Sequence, residues 1–180
     1  MGGEGAAVNR FMHHCGADCR AVRFAWQYEV NMVRELHRYG SDAGRAAVSL
    51  VCEVCDTKLV TQWKPPLPSV CVAMGYGVRD VVSLSRMVKV GDYRTSKLLR
   101  MAYPNMRARG YKAIVTYSDS SLGHSGNVYR LSGFTPQAVL ESPFYVDENG
   151  NRTSPAKCGR KDPEAIFAGY RELTRWVKVL

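Results

Sequence analysis

Residues 112–118 read KAIVTYS and run straight into Asp119-Ser-Ser-Leu-Gly123. A continuous apolar run of strand length, closed by turn residues, is the pattern of a strand covered on both faces at the centre of a sheet. Asp119 then stands at the C-terminal end of that strand, where open α/β sheets place ligand-binding groups. The same position suits an aspartate that does no more than cap the turn before Ser120 and Ser121. The residues alone leave both readings of Asp119 open.

Working outward, Val81–Val90 (VVSLSRMVKV) alternates, with Val82, Leu84, Val88 and Val90 on one face and Ser83, Ser85 and Lys89 on the other, which predicts another strand. Arg86 falls on the apolar face. Between these strands, Thr95–Arg109 has helical spacing with Leu98, Leu99, Ala102, Tyr103 and Met106 inward, and Pro104 predicts a kink or a restart. Downstream, His124–Leu131 fits a short helix ending at Ser132-Gly133, and Thr135–Leu140 fits a strand. Phe144–Asp147 reads as one arm of a hairpin turned at Asn149-Gly150.

Nearer the ends, Val22, Ala25, Trp26, Glu29, Val30, Val33 and Leu36 form a largely apolar helical stripe, predicting a helix over Arg20–Tyr39 that Gly40 stops. Ala47–Cys55 and Lys58–Trp63 read as strands joined at Asp56-Thr57, the proline-rich stretch after Lys64 breaks regular structure, and Val70–Met74 reads as a short strand. A last helix is expected after Asp162 as N-cap and Pro163, with Ile166, Tyr170, Leu173 and Val177 inward. This order predicts one α/β domain over residues 1–180, a mixed central sheet flanked by helices, with the glycine-rich residues 1–10 disordered.

The chain has 180 residues, 46% hydrophobic and 23% charged, values that exclude collagenous, low-complexity and wholly disordered classes. No apolar run approaches the ~18 residues of a membrane span, and MGGEGAAVNRFMHH lacks the apolar core of a signal peptide. A soluble, cytoplasmic protein with no membrane partner is the expectation. Lys and Arg number 25 against 16 Asp and Glu, a net charge of +9, which favours a polyanion such as nucleic acid or a polyphosphate cofactor. Arg94, Lys97, Arg100, Arg107 and Arg109 form either a phosphate track or a solvated helix face.

Six cysteines are present. Cys15-x3-Cys19 and Cys52-x2-Cys55, with His13 and His14 nearby, have spacings that invite a metal reading. A pair three apart in a regular strand points to opposite faces, however, so buried, reduced thiols are the expectation for AAVSLVCEVC.

The segment from Ser83 to Phe134 also resembles a known family. SLSRMVKV, TSKLLRMA, VTYSD, GHSGNVY and SGF are similar to the phage Mom proteins, a branch of the GCN5-related N-acetyltransferase (GNAT) superfamily. The most specific part is Tyr117-Ser-Asp119 followed by Gly123-His124-Ser-Gly126 and Tyr129. The resemblance implies a GNAT-like fold and a transferase that adds a carbamoylmethyl group to adenine N6 in double-stranded DNA, shielding phage DNA from restriction inside the host cell. It implies catalytic roles for Arg86, Ser96, Tyr117, Asp119, His124 and Tyr129. Val88, Arg94, Thr95, Ser96 and Lys97 would hold an acyl-CoA or a related activated small-molecule donor, and Arg100, Arg107 and Arg109 would hold DNA. A family histidine suspected of binding iron would fall at His13-His14, and oligomers, homodimers included, are compatible with it.

One departure stands out. GNAT enzymes usually grip the donor pyrophosphate with a Gly-rich turn, R/Q-x-x-G-x-G/A, whereas the corresponding stretch Gly91-Asp-Tyr-Arg-Thr-Ser96-Lys has no further glycine. Two rival classes remain at this stage. One is a generic GNAT N-acyltransferase acting on a small amine or a protein. The other is a non-enzymatic basic nucleic-acid-binding module, any metal being held by His14, Cys15, Cys19, Cys52 and Cys55.

Overall fold

The computed structural model describes residues 22–24, 48–52, 58–91, 94–150, 152–153 and 165–180. Alternating and β-branched residues build β1 (Val22–Phe24), β2 (Val48–Cys52), β3 (Lys58–Lys64) and β4 (Val81–Val90), each paired antiparallel with the next. The expected pairing across Asp56-Thr57 is present, from Val48 opposite Thr61 to Val51 opposite Lys58. Residues 22–24, expected at the start of a helix over Arg20–Tyr39, are strand. The rest of that span lies outside the described residues.

Between β3 and β4 lies α1 (Pro68–Ala73), where a strand over Val70–Met74 was expected. Pro68 stands in the first turn with its φ already suited to a helix, and only Cys71 turns inward while Val72 stays exposed. One buried residue per turn is a helical pattern; a strand would have buried alternate positions.

After β4 come α2 (Thr95–Met101) and α3 (Tyr103–Ala108), split at Ala102. Pro104 lacks an N–H and crowds the carbonyl four residues back, so the helix restarts as expected. Leu98, Leu99 and Met106 are fully buried together with Ile114, each side chain contributing about 1.5–3 kcal/mol of hydrophobic stabilisation. The central run becomes β5 (Ala113–Asp119), buried at every position but Tyr117. Its first residues pair parallel with β4, which makes the sheet mixed as expected.

The chain divides within β5. One compact unit comprises Met1–Val115 with Val179–Leu180, the other Thr116–Lys178. In the second unit a 3₁₀ turn (Ser120–Leu122) leads to α4 (Asn127–Leu131), β6 (Thr135–Val146), β7 (Arg152–Thr153) and β8 (Ile166–Val179). The helix expected from His124 begins only at Asn127, because Gly126 is left-handed with φ 71°. The Asn149-Gly150 hairpin is present, joining Tyr145 and Val146 to Thr153 and Arg152.

The expected C-terminal helix is a strand. β8 pairs antiparallel with β6 from Thr135 opposite Val177 to Val146 opposite Ile166. Ile166 and Tyr170, expected inward, are 69% and 66% exposed. Cross-strand pairing along such a length outweighs the local helix signal, and Gly169, at φ 119°, adopts a backbone that a helix does not contain. Among the described residues no helix is long and apolar enough to cross a membrane.

Candidate active site

Strand alternation sorts the end of β5 before any ligand is considered. Thr116 and Ser118 point to one face, Tyr117 and Asp119 to the other. On the first face, Trp176 Nε1 donates to Ser118 Oγ at 2.9 Å. Tyr129, from α4, is hydrogen-bonded to Thr116, and its ring lies 5.7 Å from Phe134 and 6.2 Å from Trp176 between centroids. Burial raises the Tyr129 phenol above the ordinary tyrosine value, the Thr116 hydrogen bond opposing in part. Tyr129 is therefore a neutral hydroxyl at physiological pH.

This face explains the glycines of the GHSG stretch. Gly123, at φ 75°, closes the 3₁₀ turn in open space. Gly126 is buried, and a Cβ there would fall on the Trp176 ring, against Cζ2 and 2.7 Å from Nε1. His124, named as a catalytic candidate, is exposed, and its backbone N–H donates to the Asp119 carbonyl at 3.1 Å.

On the opposite face Asp119 is 7% exposed, and both of its carboxylate oxygens accept hydrogen bonds from nearby groups. Oδ1 accepts from Ser121 N at 3.1 Å and from Ser121 Oγ, which makes Asp119 the cap of the 3₁₀ turn. Oδ2 accepts from Arg171 Nη1 at 2.9 Å. The turn-capping reading is thus realised, with an ion pair added. Arg171 escaped notice in the sequence because it lies on the segment read as a helix; in a strand beside β5 it reaches Asp119. Tyr117 is half-buried on the Asp119 face. Tyr117 and Asp119 therefore share a face, and Tyr129 packs on the other.

The remaining candidates lie in the first unit. The β4–β5 ladder includes Val81 opposite Ala113 to Ser83 opposite Val115, and β3 follows β4 to Val90. Arg86 and Val88, both half-buried, lie further along β4. Arg86 stands opposite Gln62, and its Nη1 is buried without a hydrogen-bond partner. Ser96 is buried in the first turn of α2, after an exposed Arg94. That turn has no acidic residue and no side-chain cap, and Thr95 and Lys97 are half-buried beside it. Its N-terminal dipole and cations suit an anion. Arg100, Arg107 and Arg109 are exposed on α2, on α3 and just after it. Asp92 and Tyr93 lie outside the described residues.

Among the described residues no three of His, Cys, Asp and Glu gather as a metal site. Cys52 lies in β2, and His13, His14, Cys15, Cys19 and Cys55 lie outside the described residues. Cys71 is a buried free thiol, as expected of a reduced cysteine.

The mixed sheet with flanking helices matches the GNAT acetyltransferase fold, which solved structures carry. The chain is similar to Arabidopsis thaliana NAA60 in complex with acetyl-CoA, with a TM-score of 0.55 at 12% identity, covering 88% of this chain and 97% of that one. It is similar to the ribosomal-protein-alanine N-acetyltransferase of Brucella melitensis (0.51, 14%, 88% and 99%). A Bacillus subtilis acetyltransferase in complex with CoA matches at 0.50 and 13%, over 88% and 97%. No protein-family model matches the sequence, and no curated protein matches it.

Proposed function

We propose that the protein is a GNAT-type transferase that moves a carbamoylmethyl-type group, bonded through its methylene carbon, onto N6 of adenine in DNA and so shields the DNA from restriction. The observation that carries this reading is the acetyltransferase fold combined with the Tyr117–Tyr129 block at the end of its central strand. The fold supports group transfer to an amine; the block, by its resemblance to phage Mom proteins, supports adenine as that amine. Charge supports DNA as the carrier. The first unit holds 17 of the 25 Lys and Arg with 9 of the 16 Asp and Glu, net +8, and the second holds 8 and 7, net +1.

An acyl-CoA-type donor fits residues of this chain. Arg94, Thr95, Ser96 and Lys97 at the start of α2 would hold its phosphates, and Val88 on β4 would lie along it. When bound, the donor supplies the electrophilic carbon.

Adenine N6 is a weak nucleophile, its lone pair being delocalised into the ring, so the residues must orient it and receive its proton. Asp119, held rigid by Ser121 and Arg171, accepts a hydrogen bond from the amine. Arg86, whose Nη1–H has no hydrogen-bond partner, is the candidate to meet negative charge that develops in transfer, and Tyr129, on the other face of β5 from Asp119, supports that strand end through Thr116. Ser96 and Tyr117 orient the reactants, and His124, exposed, meets the acceptor strand. The base leaves the duplex to react, while Arg100, Arg107 and Arg109 hold the backbone.

The test is restriction of plasmid DNA from cells expressing the protein. Sites containing adenine are expected to resist cleavage while sites of G and C alone are cut normally. Full cleavage at both, with acylated protein or small amines in the same cells, would favour a generic N-acyltransferase.

A further inference from the structure

β8 carries a second arginine on the face of Arg171. Arg175 is four residues on, so both side chains point the same way from Cα atoms about 13 Å apart. That face also bears Asp119, since Arg171 bonds to it. Both arginines are half-buried, and in each the Nε is buried with no hydrogen-bond partner. The residues directly across on β6 are small, Ser142 opposite Arg171 and Ala138 opposite Arg175, with the Leu140–Leu173 rung between them.

A guanidinium keeps its charge when buried, and a buried N–H left without an acceptor costs about 1–3 kcal/mol. Asp119 neutralises Arg171 only. Glu141 and Glu172, which stand opposite each other in register, belong to the other face of the hairpin. Among the described residues, two guanidinium groups and one carboxylate therefore share a partly apolar face, and each guanidinium has a buried Nε–H with no acceptor. The planar fork of arginine matches the oxygens of a phosphate, and low polarity around it strengthens the bond.

We propose that Arg171 and Arg175 form an oxyanion-binding pair on the Asp119 face, and that its ligand is a phosphate group, the phosphodiester flanking the target adenine. This rests on the DNA reading above for the source of the phosphate. The phosphates of a nucleotide donor have the same chemistry, and the experiment separates them. The pair does not perform the transfer; it sets where the acceptor strand lies relative to Asp119.

The arginine Nε–H resonances of the full-length protein are followed by proton–nitrogen NMR and assigned with Arg171→Lys and Arg175→Lys. Inorganic phosphate is expected to shift both signals saturably. Arg175→Gln is expected to lower the slope of log K against log salt for duplex DNA by about 0.9, one phosphate contact, with CoA affinity unchanged. Arg175→Lys keeps the charge and is expected to retain the slope, which separates lost contact from lost folding. Silent Nε–H signals with both phosphate and DNA would overturn the proposal. A loss of CoA affinity with an unchanged DNA slope would overturn the phosphodiester assignment in favour of the donor. If the wild-type protein bound no DNA but phosphate still shifted both signals, the DNA reading would fail and the oxyanion pair would stand.

Discussion

Replacing Gly126 with alanine separates a glycine needed for its backbone from one needed for its missing side chain. At φ 71° an alanine pays the left-handed penalty, about 1–2 kcal/mol. Its Cβ would also fall on the Trp176 ring, 2.7 Å from Nε1, so the indole must move. Moving it breaks the Nε1 bond to Ser118 Oγ inside the protein, worth a further ~1–3 kcal/mol when the donor is left unsatisfied. The expected loss is about 2–5 kcal/mol, a fall in Tm of roughly 4–20 °C for a chain of this size. Gly123→Ala is the control: φ is 75°, yet no atom lies within 4 Å of the added Cβ, so only the backbone penalty applies. Urea and thermal unfolding followed by circular dichroism give both numbers. Equal destabilisation of the two variants, within about 0.5 kcal/mol, would refute the packing of Trp176 against Gly126 as the reason for that glycine.

Three further outcomes are expected. Asp119→Asn keeps the turn cap through Ser121 but loses the charge opposite Arg171, so adenine modification should fall by roughly 10²-fold or more at matched protein level; unchanged modification would reduce Asp119 to a turn residue. Tyr129 has its pKa raised by burial, so the folded protein holds that proton more tightly than the unfolded chain. Its contribution to stability is complete below the ordinary tyrosine pKa near 10 and is lost as pH rises through the folded value, and Tyr129→Phe should flatten stability between pH 9 and 11 (roughly) in urea titrations. DNA affinity should fall steeply with salt, Arg107→Gln reducing the slope by about 0.9; salt-independent binding would contradict the phosphate track.

Elements whose periodicity is local were legible from sequence. Lys112–Ser118 has the pattern of a central strand and Ala113–Asp119 forms one, Val81–Val90 alternates, and Pro104 announces the break between α2 and α3. β8 was not, because Ile166, Tyr170, Leu173 and Val177 have helical spacing by coincidence. What makes them strand is β6, some thirty residues upstream, whose register no local pattern reveals. The same nonlocality hid Arg171, the ion partner of Asp119. Candidate site residues were legible as residues, through the Tyr117–Tyr129 block, but not as an arrangement. Alternation along β5 places Asp119 and Thr116 on opposite faces, and the hydrogen bond to Thr116 with the contact to Trp176 fixes the face that holds Tyr129.

The central claim concerns the atom that is modified. DNA from cells expressing the protein, digested to nucleosides and separated by liquid chromatography, is read by tandem mass spectrometry. The expected result is a heavier deoxyadenosine whose added mass stays with the base when deoxyribose is lost and fragments as a substituent on N6. Adenine of normal mass throughout, from cells in which the folded protein is abundant, would contradict it.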